Sequence, residues 1–161
     1  MKNGARSAPC AALAISGERL HALAPQVVLA GIDDFDLDEI TDLCQQMQHA
    51  ADEVDVSRYL WTNFAFHRRI YAVAQAELTM AAVENFWLHM GPCFALVAPD
   101  KAHLQRSMEA HTRIVEALAA RDGAGARAAV TDDIMQAADS LARLLVKNDR
   151  SRSSASGGKR A

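Results

Sequence analysis

The chain has 161 residues, enough for one domain with a sizeable core, and half of them are apolar, an ordinary globular composition. Its net charge of -3 hides a division: residues 147–161 carry five Lys/Arg against one acid, residues 1–19 three against one, and residues 20–146 nine against eighteen. An acidic body is unlike the basic face that nucleic acids require, no apolar run approaches the roughly 20 residues that span a bilayer, and three scattered cysteines without a CxxC pair argue against a disulfide scaffold.

Residues 1–17 hold an apolar patch too short and broken for a signal peptide. They are expected to be flexible, and the location is expected to be cytoplasmic. A first helix is predicted over 18–30, "GERLHALAPQVVL", with Pro25 a kink or restart. "GIDDFD" then breaks the chain, and its acids suit the N-terminus of a second helix over 37–51. On that helix Leu37, Ile40, Cys44, Met47 and Ala51 form the apolar stripe. A third helix covers 55–75. A fourth covers 77–90, with Val83, Phe86, Trp87 and Met90 inward and Gly91-Pro92 interrupting it. The fifth, 99–120, opens at Pro99-Asp100, and "RDGAGA" is a stop and restart with Gly123 as the cap. The sixth runs over 125–147, and the Ser/Gly/Arg-rich tail 148–161 has no apolar anchors and is expected to be disordered. No alternating β-branched run appears. The predicted fold class is all-α, an antiparallel bundle of about six helices with a central polar pocket.

Three of the predicted helices carry a polar residue where an apolar one belongs. In the third, Leu60, Phe64, His67, Tyr71 and Ala74 share a stripe at about 100° per residue, with Asn63 on its edge. In the fifth, His111 sits among Leu104, Met108, Val115 and Leu118. In the sixth, Asp133 lies within the stripe of Val130, Ile134, Ala137, Leu141 and Leu144, whereas Asp132 points outward. The remaining histidines, His21, His49, His89 and His103, fall off their stripes. Two imidazoles, a carboxylate and an amide on facing helices suit a divalent cation. They suit a metal-free His–Asp network equally well, since a buried aspartate needs a partner. Periodicity alone does not choose between the two.

"NFAFHRRIYAVAQAE", followed by "RSMEAHTRIVEALAARDGAGARAAVTDDI", resembles the ligand-sensing C-terminal domain (FCD type) of GntR-family transcriptional regulators of the FadR subfamily. The elements that carry the resemblance are Phe66-His67 and Ser107, His111, Ile114 and Ala117 at their spacing, with "LAPQVVLAG" similar to the domain's opening helix. The resemblance extends over residues 20–145 and implies a helical bundle that pairs as a homodimer around a pocket. It also implies a Zn²⁺ or Ni²⁺ ion held by one aspartate and three histidines, with a small organic acid completing the coordination. In this sequence those four places fall on Asn63, His67, His111 and Asp133, so one carboxylate is kept but moved. An amide oxygen is a weaker ligand and one imidazole is lost, which implies weakened or altered metal preference. Arg106, upstream of His111, is a candidate anion contact.

The function expected is therefore an effector-sensing domain of a GntR/FadR-like regulator. About 17 residues precede the first predicted helix and contain no helix-turn-helix, so specific DNA binding by this chain alone is not expected. A structural dimerisation module is the alternative. A metal-assisted lyase or hydrolase ranks lower, because no nucleophile–base pair is visible beyond the ligand set.

Overall fold

A computed structural model describes residues 32–73, 84, 88, 100–137, 139 and 143. All regular structure among the described residues is helical: α1 spans Asp34–Glu53, α2 Val56–Val73, α3 Lys101–Ala119 and α4 residues 123–137. These correspond to the helices expected over 37–51, 55–75, 99–120 and 125–147. Positions 84 and 88 are also helical and fall within the helix expected over 77–90. Most of that helix, the helix over 18–30, the N-terminal residues 1–17 and the tail 148–161 lie outside the described residues.

Side-chain caps fix the starts. Asp33 accepts from the Asp36 amide at 2.7 Å and Asp36 accepts from the Asp33 amide at 3.1 Å, a reciprocal box that starts α1 three residues before the predicted boundary. Asp100 likewise accepts from the His103 amide at 2.8 Å and opens α3. The ends of α1 and α3 are closed by left-handed residues that are not glycine: Val54 at φ 59° and Arg121 at φ 55°. Beyond each, an amide reaches back to the last turn, Asp55 to the Ala50 carbonyl and Asp122 to the Ala117 carbonyl, both at 2.9 Å. Gly123 is thus not the cap expected of it. The chain reverses at Arg121, Asp122 caps the next helix through the Gly125 amide at 2.9 Å, and Gly123 is already inside the first turn of α4.

Contacts between helix ends define their directions. Asp52 near the end of α1 meets Lys101 and Gln105 near the start of α3, while Asp34 and Ile32 at the other end meet Arg121. Asp36 and Glu39, early in α1, both pair with Arg69, late in α2. So α1 runs antiparallel to both α2 and α3, as the short link between α1 and α2 requires. Ile40, Met47, Phe66, Ile70, Leu104, Met108, Ile114, Leu118 and Val130 interlock in the core they enclose.

The inward face of α2 is rotated from the predicted stripe. Tyr59, Thr62, Asn63, Phe66, His67, Ile70 and Tyr71 are buried, whereas Leu60 and Phe64 are only half-buried. A helix flanked on two sides buries a broader arc than one apolar stripe, and the arc's centre passes between Asn63 and Ile70. On α3 the same effect buries Ile114 fully and leaves Val115 partly exposed.

Candidate functional site

Apart from Thr62, whose hydroxyl donates to carbonyls of its own helix, the buried polar residues lie on three helices and meet at one place. On α2, Tyr59, Asn63, His67 and Tyr71 follow one another at intervals of four, so their side chains stack along a single buried column. On α3, Ser107 and His111 have the same interval. Asp133 enters from α4 and is buried. All four residues singled out as metal ligands, Asn63, His67, His111 and Asp133, are thereby brought together. Arg106 is not among them: its side chain is exposed, and five residues on a helix place it about 140° around α3 from His111. Asp132 is exposed and 3.5 Å from Arg113, as its outward position predicts.

His111 has both ring nitrogens engaged. Nδ1 lies 2.8 Å from the Ser107 carbonyl oxygen, which can only accept, so Nδ1 carries the proton. Nε2 is then an acceptor, and the Asn63 amide donates to it from Nδ2 at 2.9 Å. That assignment fixes the amide's orientation and turns Asn63 Oδ1 away from the ring, where it has no hydrogen-bond partner among the described residues. Burial pushes the His111 pKa down. Asp133 opposes that shift and His67 reinforces it, and a neutral ring agrees with this tautomer.

Asp133 lies between the two imidazoles. Its Oδ2 is 3.3 Å from His67 Nε2, and its Oδ1 is 3.6 Å from His111 Nδ1. The His67 and His111 rings meet edge to face with centroids 5.3 Å apart. Phe66 presents its ring to both, also at 5.3 Å, and Tyr71 stacks on His67 at 6.4 Å. These ring contacts restrict the planes of the two imidazoles.

The donor atoms of His67, His111 and Asp133 lie within 4.8 Å of one another. Tetrahedral ligands at about 2.1 Å from a zinc ion stand roughly 3.4 Å apart, so the set is slightly wide and closes by small rotations. Two nitrogens and one carboxylate are also the three-ligand set that leaves a position open for a guest. The residues present therefore fit a divalent ion. Tyr59 is a part of this site that the periodicity did not single out. Its signal in the sequence was the step of four that it shares with Asn63, His67 and Tyr71.

The family model described as the FCD domain matches residues 19–136. The HTH-type transcriptional regulator McbR of Escherichia coli K12 is 24% identical over 119 residues, 73% of this chain and 54% of the regulator. The solved structure of E. coli McbR/YncC aligns with a TM-score of 0.75 at 22% identity, covering 81% of this chain and 63% of that one. A Streptococcus agalactiae GntR structure aligns with a TM-score of 0.69 at 20% identity, covering 87% and 62%. The chain thus spans about half the length of the curated regulator it matches.

Proposed function

This chain belongs to the FCD domain family, the effector-sensing domain of GntR-type transcriptional regulators, and from that premise we propose that the His67–His111–Asp133 cluster is the floor of its effector site. The observation that carries the proposal is the burial of three metal-capable side chains from three helices within 4.8 Å of one another. A fold that needed only a core would not desolvate two imidazoles and a carboxylate together.

His67, His111 and Asp133 would hold the ion, Zn²⁺ or Ni²⁺ by their nitrogen-rich character, with Asn63 beside them. With one ligand carboxylate, a divalent ion keeps a net charge of +1 and attracts an anionic effector such as a small organic acid. Asn63 is a poorer ligand than a carboxylate, and its present hydrogen bond to His111 competes with metal for Nε2. Metal binding is therefore weaker than an aspartate at position 63 would give. The chain acts as a sensor rather than an enzyme, since no nucleophile–base pair accompanies the cluster among the described residues. It works as a homodimer, its acidic body does not itself read DNA, and effector binding between α2, α3 and α4 shifts the bundle between two packings.

A thermal-shift screen of small organic acids, with and without added Zn²⁺ or Ni²⁺, tests this. A stabilising acid whose effect grows with metal and vanishes in His111→Ala is the expected result. A protein that no acid stabilises under either condition is a scaffold, and the sensing function is then wrong.

A further inference from the structure

The start of α1 is held more by charge than by packing. Ile32 and Ile40 are buried, and between them only Leu37 packs partly on the core. Two arginines grip the turn instead. Arg69 reaches from α2 to the carboxylates of Asp36 and Glu39. Arg121 reaches from the turn between α3 and α4 to the Ile32 carbonyl, and to Asp34 at 3.1 Å. It does so from a left-handed backbone conformation, φ 55°, that glycine would hold at less cost.

Both arginines belong to elements that also carry the His67–His111–Asp133 cluster. Arg69 follows His67 by two residues on α2. The turn at Arg121 joins α3, with His111, to α4, with Asp133. A packed helix shifts nearly as a rigid rod, so movement of these helices at the cluster is carried to both guanidiniums. The cluster supplies a cause for such movement, because its donor atoms are spread over up to 4.8 Å and a tetrahedral ion holds its ligands about 3.4 Å apart. We propose that Arg69 and Arg121 form an ionic latch on the first turn of α1, which an ion at the cluster tightens. Occupancy of the site thereby sets how firmly the chain is anchored at Ile32 and Asp34. This inference rests on the metal binding proposed above. The coupling runs both ways, so a loosened latch must also weaken the ion's binding, although Arg121 is bonded to α1 and not to the cluster.

Hydrogen exchange of the full chain, read by mass spectrometry in peptides covering residues 32–40, tests this with and without Zn²⁺. In the wild type, Zn²⁺ is expected to slow exchange there about threefold or more. Arg121→Gln should lose that response and bind Zn²⁺ about threefold more weakly in competition with a chelator. Asp34→Asn, a change at an exposed position that leaves Arg121 in place, should lose part of the response and keeps the test open if Arg121→Gln folds poorly. Arg58→Gln removes an exposed ion pair with Glu53 at the other end of α1 and should behave as the wild type. If Zn²⁺ binds but exchange over 32–40 does not change, side-chain rotation alone accommodates the ion, and the latch is wrong while metal binding stands. A full response in both Arg121→Gln and Asp34→Asn overturns the latch as well. If the wild type binds no Zn²⁺, metal binding itself fails and the latch falls with it.

Discussion

Asn63 donates from its amide to His111 Nε2 at 2.9 Å, the ring nitrogen left free once Nδ1 is bound to the Ser107 carbonyl. The amide at position 63 thereby stabilises a neutral, metal-free form of the histidine. A carboxylate at that position could not, because it has no proton to give to Nε2. This one pairing lets the cluster exist as a closed network and makes metal entry a competition rather than a simple filling.

Asn63→Asp should reverse that balance. Metal affinity, measured by competition with a chromophoric chelator, is expected to rise by at least about tenfold. In chelator-treated protein the same variant should unfold about 2 kcal/mol more easily, since a second buried carboxylate is brought close to Asp133 and the amide's hydrogen bond to His111 Nε2 is lost. A variant with unchanged metal affinity would show that position 63 lies outside the coordination sphere.

Metal analysis of untagged protein is expected to find about one ion per chain after dialysis against Zn²⁺ or Ni²⁺. The His67→Ala/His111→Ala double variant should retain almost none. Full retention by that variant would place the ion elsewhere. For the wild type, chelation should lower the melting temperature, because an ion at about 100 times its Kd contributes about 2.7 kcal/mol to the native state.

The core also predicts sensitivity to alkali. Burial raises the Cys44 thiol from 9.0 to about 11 and pushes the Tyr59 and Tyr71 phenols above their ordinary value of 10.0. The unfolded chain therefore loses these protons first as pH rises. Stability from these groups is fully present below about pH 9 and declines as pH passes through 9 to 11 and beyond. Urea midpoints at pH 8, 9.5 and 11 should fall in that order. Tyr59→Phe should reduce the slope above pH 10.

The two left-handed residues should respond oppositely to glycine. Val54 is β-branched, holds φ 59° and leaves its side chain partly in solvent, so Val54→Gly should stabilise the fold by about 1 kcal/mol. Arg121 at φ 55° carries the same backbone cost, but its guanidinium bonds the Ile32 carbonyl and sits 3.1 Å from Asp34. Arg121→Gly should therefore show no gain, or a loss of about 1 kcal/mol. Equal gains in both variants, measured by chemical denaturation, would mean that the Arg121 contacts contribute nothing.

A large part of this site is legible in the helical period of the sequence. It placed His67, His111 and Asp133 on inward faces and Asp132 outside, because a 3.6-residue repeat fixes direction whatever the neighbours are. It misjudged Asn63 and Tyr59, since an apolar-stripe criterion puts polar and half-polar residues at the margin even when they occupy the middle of a broad buried arc. The Ser107 carbonyl, which sets the tautomer of His111, belongs to the backbone and leaves no mark on a side-chain pattern. Arg121 defeated the expectation at Gly123 for a related reason: tertiary bonds from its guanidinium accompany a conformation that local propensity assigns to glycine.

The column on α2 has a consequence for how this sequence can vary. Tyr59, Asn63, His67 and Tyr71 share a line only because each interval is four. One residue inserted or deleted between them would turn everything beyond it by about 100°, carrying part of the set out of the core. Point changes can retune the site one function at a time, hydroxyl against hydrogen or amide against carboxylate. Length changes within those thirteen positions cannot, so the frame of α2 is fixed more strictly than the identity of any residue in it.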